Sequence, residues 1–192
     1  MLNIILFGKP GSGKGTQAEF IKQKYKLVHI STGDIFRENI KNQTDLGKLA
    51  QKYMNNGDLV PDNITIEMLK VEVDLNINSK GFLFDGFPRT VDQAISLDNH
   101  LQKKKLTIDL TIAIDVKDHI LIERILNRGL TSGRKDDQDE IKIKNRFDEY
   151  NRKTSFLEVY YKNQNKFKIV DGFGKIDEVA KRLYNEIEEF IK

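Results

Sequence analysis

The stretch "GKPGSGKGTQ", Gly8 to Gln17, stands directly after the apolar run "MLNIILF" and decides how the chain is to be read. A short apolar strand that runs into a glycine-rich turn and then a helical pattern is the setting of a phosphate-binding loop. There, main-chain N–H groups at a helix start face phosphate oxygens, and a lysine reaches the outer phosphates. Gly8, Gly11, Gly13 and Lys14 occupy these places. The usual loop has Ser or Thr directly after the lysine, where its hydroxyl meets Mg²⁺. Here Gly15 holds that place and Thr16 comes one residue late, so the metal has to be sought elsewhere.

Around this loop the composition sets bounds. With 192 residues, 39% of them hydrophobic, the chain is long enough for one domain with a sizeable core and small inserted lobes. No apolar run approaches the roughly 20 residues of a membrane span, and the apolar N-terminus leads into a glycine loop, not a cleavage site. A soluble, cytoplasmic protein without membrane attachment is expected. There is no cysteine and there are three histidines, so disulfides are excluded and no zinc site is expected. The net charge of +3 suits an anionic ligand, but the lysines are spread along helix faces beside Glu and Asp. Basic residues interleaved with aromatics are missing, so no nucleic-acid partner is expected.

Five short runs rich in β-branched or aromatic residues, "NIILF", "LVHI", "GFLFD", "DLTIAIDV" and "KFKIVD", alternate with segments of helical periodicity. Such alternation predicts an α/β fold with a parallel sheet covered on both faces. The spacing of Ile141, Ile143, Phe147, Tyr150, Phe156, Leu157 and Tyr160 predicts one long helix from about Glu140 to Tyr161. Between Ser31 and Pro61 two helical patterns occur without a strand, which predicts a helical lobe inserted after the second strand. The polar, glycine-punctuated "NRGLTSGRKDD", Asn127 to Asp137, reads as an exposed loop.

Three further motifs fall at strand ends, where open α/β sheets gather ligands. In "STGDIFRE", Ser31 or Thr32 either caps the next helix or meets a ligand, and capping and contact are compatible. In "FLFDGFPRT", Asp85 follows an apolar strand as a Walker-B carboxylate does, within reach of Mg²⁺ directly or through water. Lysine far outnumbers arginine, yet Arg37, Arg89, Arg124, Arg128, Arg134 and Arg146 fall in or near these loops, where a planar fork suits phosphate. Arg124 and Arg128, four apart, share one helix face. Arg152 and Arg182 fall in surface patterns, and His29, His100 and His119 read as packed or solvated.

Taken together, "GKPGSGKGTQ", "STGDIFR", "GFLFDGFPRT", "SGRKDDQDE" and "VDGFG" resemble, in order and spacing, the nucleoside monophosphate kinase family, and within it the adenylate kinases, over nearly the whole chain. The resemblance implies a P-loop three-layer fold with a five-stranded parallel sheet flanked by helices, a helical NMP-binding lobe and a short LID. It divides the chain into a CORE (1–30, 61–126, 138–192), an NMP-binding lobe (31–60) and a LID (127–137). The implied reaction is MgATP + AMP ⇌ 2 ADP by a monomer, with Mg²⁺ and no zinc, since only five residues separate Arg128 from Arg134.

On matching positions the resemblance places ATP against Gly11, Ser12, Gly13, Lys14, Gly15 and Thr16, against Arg124 and Arg128, and with its adenine at the Gly174 backbone. AMP falls to Thr32, Arg37, the backbone of Asp58, Leu59 and Val60, Gly86, Phe87, Pro88, Arg89, Gln93, Arg134 and Arg146. Lys14 and the six arginines form the catalytic set, and Asp136 and Asp137 pair with LID arginines. "DEIKIKNRF", which carries Arg146, is one residue longer than in many relatives, and Phe156 replaces a common proline. A Gln amide offers a donor and an acceptor that match adenine N1 and the 6-amino group, which favours AMP as acceptor. Asp85, with Asp34 as second choice, is expected to reach Mg²⁺ through water. A GTP:AMP phosphotransferase and a non-catalytic adenylate sensor are the alternatives.

Overall fold

The computed structural model describes residues 1–192, the side chain of Lys135 excepted. Five parallel strands, β1 (Leu2–Phe7), β2 (Val28–Ser31), β3 (Gly81–Asp85), β4 (Leu110–Asp115) and β5 (Phe167–Asp171), lie in the order β2-β3-β1-β4-β5. Because β1 is central and helices cover both faces, its side chains from Ile4 to Phe7 are apolar in both directions. Ile4 and Leu6 enter one core with Leu83, Ile112, Ile114 and residues of α1 (Lys14–Tyr25), α6 (Asp118–Ser132), α7 (Glu140–Glu149) and α9 (Ile176–Ile191). Ile5 and Phe7 enter the other with Phe82, Phe84 and residues of α4 (Asp62–Leu75), α5 (Val91–Lys103) and α8 (Phe156–Lys162). The expected α/β sheet is therefore present, with all five strands where the sequence places them.

The segment after β2 folds as two helices, α2 (Thr32–Lys41) and α3 (Asp45–Met54), around a small core of Phe36, Ala50 and Val60 that is separate from the two sheet cores. Thr44 caps α3 by accepting from Gly47 N at 3.0 Å and donates to Asn39 Oδ1 at 2.8 Å, which fixes the bend between the helices. Gly47 is required by proximity: a Cβ there would lie 2.1 Å from the Asn39 carbonyl oxygen.

Two sequence expectations are corrected. The long helix from Glu140 to Tyr161 is not continuous: α7 ends at Glu149, a π turn occupies Tyr150–Thr154, and α8 starts at Phe156. Leu157 and Tyr161 after the turn are fully buried, whereas Phe156 is 59% exposed and Ile141, on α7 before the turn, 80% exposed. The Thr154 hydroxyl donates to the Arg89 carbonyl at 2.9 Å, which ties the turn to the loop after β3. The region Asn127 to Asp137 is not a loop throughout. Helix α6 continues to Ser132 and is closed by Gly133, and a 3₁₀ turn follows at Lys135–Asp137. Leu121, Ile125 and Gly129 continue the buried stripe of α6, and this packing overrides the polar, loop-like composition.

Gly47→Ala forces the α2–α3 bend apart and is expected to cost about 2 kcal/mol. Urea denaturation measures this, and a midpoint equal to that of the parent contradicts the tight approach.

Candidate active site

The cleft forms at the carboxyl ends of the strands. After β1 the chain turns through Gly8–Gly13, and Gly13 begins α1 in a left-handed conformation (φ 93°) with nothing near its missing Cβ, so the backbone alone demands glycine. Lys14 folds back under this loop and donates to the Gly8 carbonyl at 2.6 Å and the Lys9 carbonyl at 3.2 Å. Burial lowers its pKa to about 8; Asp85 opposes the shift, and Arg89, Arg146 and Arg128 add to it.

The other expected residues converge on the same place. One continuous cleft is lined by Gly11, Gly13, Lys14, Gly15, Thr16, Asp34, Arg37, Asp85, Gly86, Arg89, Arg128, Arg134 and Arg146. It opens toward the α2–α3 lobe into a pocket lined by Thr32, Arg37, Asp58, Leu59, Val60, Gly86, Arg89, Gln93 and Arg146. Ser12 is buried beneath the loop, and Phe87 points into the core, so only its main chain can face the cleft. Pro88 borders a neighbouring cavity with Lys14, Arg89 and Arg146. Arg124 stands apart and reaches the Gly172 carbonyl at 3.4 Å, beside the loop that carries Gly174. Arg182 braces that loop by donating to the carbonyls of Asp171 (2.7 Å) and Phe173 (2.6 Å), a structural part in line with its sequence reading.

The alternatives at "STGD" separate in the structure. The Ser31 hydroxyl accepts from Asp34 N and caps α2, whereas the Thr32 hydroxyl donates to the Gly86 carbonyl at 2.9 Å and lines the pocket.

Carboxylates hold most of the guanidinium groups in place. Asp137, 0% exposed, receives Arg128 in a fork at 2.6 and 2.8 Å and Arg146 at 2.7 Å; Arg146 also pairs with Asp136 at 3.0 Å. Burial opposes the Asp137 charge, but the hydrogen bonds from Arg128 and Arg146 outweigh it and hold the pKa below the usual carboxylate range. Asp34 pairs with Arg37 and lies 3.8 Å from Arg134. Arg89 donates through Nε to the Gly86 carbonyl at 2.7 Å, and burial beside Arg146 lowers its pKa to about 10.

Two residues near the site were not assigned to it by sequence, His29 having been read as packed or solvated. His29 places Nε2 3.6 Å from Asp85 Oδ2 and lines the cleft; its signal is the period of two along β2, which puts it on the face of Ser31. Asn145 donates from α7 to the Asn56 carbonyl (2.8 Å) and Asp58 Oδ1 (3.0 Å), joining the lobe's last loop to α7. No local pattern announces that contact.

A strand, a glycine loop with a buried lysine and a cleft rich in arginine define a P-loop phosphotransferase. The comparisons with known proteins narrow this class. The adenylate kinase family profile matches residues 6–166. The chain is 63% identical over 183 residues to the adenylate kinase of Flavobacterium psychrophilum, covering 95% of this chain and 96% of that one. It is 57% identical to the adenylate kinase of Flavobacterium johnsoniae (98% and 99% covered) and 43% identical to that of Bacteroides fragilis (98% and 99% covered). The chain belongs to the adenylate kinase family, enzymes that convert ATP and AMP to two ADP and use ATP with Mg²⁺. Among the described residues no three or more His, Cys, Asp or Glu side chains come together to hold a metal, and no helix is long and apolar enough to cross a membrane.

Asp137→Ala leaves two guanidinium groups without their buried carboxylate and is expected to cost about 3 kcal/mol at neutral pH. Since the folded-state pKa of Asp137 is depressed, its contribution is present above the unfolded value and is lost as pH falls through the folded one. The stability difference between parent and variant, measured by urea denaturation, should narrow below about pH 4. A gap that stays constant with pH contradicts the ion cluster.

Proposed function

We propose that this chain transfers the terminal phosphoryl group of MgATP directly to an AMP phosphate oxygen, with ATP along Gly11–Thr16 and AMP in the pocket beside the α2–α3 lobe. The observation that supports this most is the convergence of Lys14, Arg37, Arg89, Arg128, Arg134 and Arg146 on one cleft that opens on both sides. A loose transition state spreads charge over the transferring oxygens, and positioned cations stabilise it without a covalent intermediate. No strong base is needed, because the attacking phosphate oxygen is already ionised.

In this reading Lys14 exchanges its two carbonyl partners for donor phosphate oxygens, and main-chain N–H groups of Gly11–Thr16 hold the rest of the triphosphate. Arg124 and Arg128 hold ATP from one face of α6, with its adenine at Gly174. Thr32, Arg37, Asp58–Val60, Gly86–Arg89, Gln93, Arg134 and Arg146 take AMP. Asp85, with Asp34 as second choice, would hold the Mg²⁺ of the MgATP substrate through water, and the ion would neutralise phosphate charge there. Thr16 is then free for phosphate, which accounts for the glycine after Lys14. Residues 31–60 and 127–137 act as the NMP-binding lobe and the LID, and their closure over the cleft excludes water that would otherwise hydrolyse ATP. The enzyme works as a monomer in the cytoplasm.

Purified protein with MgATP and AMP should form ADP, and MgGTP in place of MgATP tests the donor preference. Lys14→Ala is expected to lower kcat by about 10²- to 10³-fold. Near-normal transfer by that variant refutes the role of the loop, and nucleotide binding without any turnover in the parent protein would make it a sensor.

A further inference from the structure

Gln93 is 2% exposed and lines the pocket beside the lobe, yet both ends of its side-chain amide are already half used from behind. Its Oε1 accepts from Arg89 N at 2.7 Å, and its Nε2 donates to Asp62 Oδ1 at 2.7 Å. The second oxygen of Asp62 accepts from the Thr90 hydroxyl at 2.6 Å, and that hydroxyl in turn accepts from Gln93 N at 3.2 Å. Asp62 lies on the first turn of α4, does not line the pocket, and meets the start of α5 through this ring of bonds.

The two ends of a carboxamide are alike in shape and opposite in hydrogen bonding, so only its partners decide which way it faces. A main-chain N–H can only donate and a carboxylate can only accept. Arg89 N and Asp62 therefore admit one orientation, with Oε1 toward Arg89 and Nε2 toward Asp62. Each end keeps one unused site: a lone pair on Oε1 and one N–H on Nε2. That pair of sites matches the 6-amino group and N1 of adenine. A 6-oxopurine, hypoxanthine or guanine, presents the reverse, a carbonyl oxygen at C6 and a hydrogen on N1. To pair with it the amide has to turn over, which sets its NH₂ against Arg89 N–H and its oxygen against the Asp62 carboxylate. Two buried bonds are lost and two repulsive contacts take their place.

We infer that Asp62 is a positioning residue that selects adenine over 6-oxopurines in the acceptor nucleotide by locking the Gln93 amide in one orientation; this rests on the proposed role of Gln93 in facing the acceptor base. Without Asp62 one of the two locks is gone, and the amide can turn or swing away while the phosphate-handling residues stay as they are.

The test is steady-state kinetics of the purified enzyme with saturating MgATP and AMP, IMP or GMP as acceptor, for the parent, Asp62→Ala, Asp62→Asn and Gln93→Ala. Asp62→Ala is expected to raise the KM for AMP about tenfold with kcat within about twofold, and to lower the AMP-to-IMP ratio of kcat/KM about tenfold, the size of one charge-assisted hydrogen bond. Asp62→Asn, whose carbonyl oxygen can still accept from Gln93 Nε2, should restore most of the ratio. If Asp62→Ala fails to fold, Asp62→Ser keeps an oxygen at the start of α4 that is too short to reach Gln93 and should give the same loss. An unchanged AMP-to-IMP ratio in the Asp62 variants, with or without a lower melting temperature, reduces Asp62 to a tie between α4 and α5 and overturns the inference. If Gln93→Ala lowers the ratio in that case, the base-reading role of Gln93 survives; if Gln93→Ala also leaves the ratio unchanged, that role fails as well.

Discussion

The cleft carries more positive charge than its own carboxylates can neutralise, and the rest of the structure is arranged around that excess. Five arginines and Lys14 line it against Glu19, Asp34 and Asp85, and the mutual repulsion is visible in the chemistry: burial and neighbouring arginines push Lys14 down to about 8 and Arg89 down to about 10. Charges buried without full partners cost stability. A fold that keeps them is poised for anions, and in an adenylate kinase these are the phosphates of two nucleotides. Asp137, fully buried between Arg128 and Arg146, limits the repulsion and holds both forks at the edge of the cleft.

The sheet makes this concentration of charge possible. With β1 in the centre and apolar on both faces, its carboxyl end delivers the glycine loop to the middle of the molecule. On one side, β3 ends at Asp85 and leads to Arg89; on the other, β4 leads into α6 and hence to Arg124 and Arg128. The break between α7 and α8 fits the same purpose. Within the π turn Thr154 reaches the Arg89 carbonyl, and directly after it Leu157 and Tyr161 are buried.

What was legible in the sequence is what depends on near neighbours. The glycine loop, the five strands, the two helices of the lobe and the set of arginines all follow from local pattern and strand-end position. The π turn was not legible, because Ile143, Phe147, Tyr150, Thr154, Leu157 and Tyr161 keep three- and four-residue steps straight across it, as an unbroken helix would. The helical half of "NRGLTSGRKDD" was hidden for a related reason. Its composition is that of a loop, yet Gly129 lets α6 pass close to Asp137, where a Cβ would sit 2.8 Å from the carbonyl oxygen. Asp62, His29 and Asn145 gain their meaning from partners 31, 56 and 89 positions away, which no single-sequence pattern connects.

The central claim, that phosphate completes a cleft in which burial makes the charge of Lys14 costly, is tested most directly by proton uptake on ATP binding. In calorimetry at about pH 8, in two buffers of different ionisation heat, MgATP should draw about half a proton onto Lys14, because an anion restores the charged form of a group whose pKa lies near 8. That uptake should shrink at about pH 6.5, where Lys14 is already protonated, and should be missing in Lys14→Met. The same uptake in parent and Lys14→Met across this pH range would contradict the account.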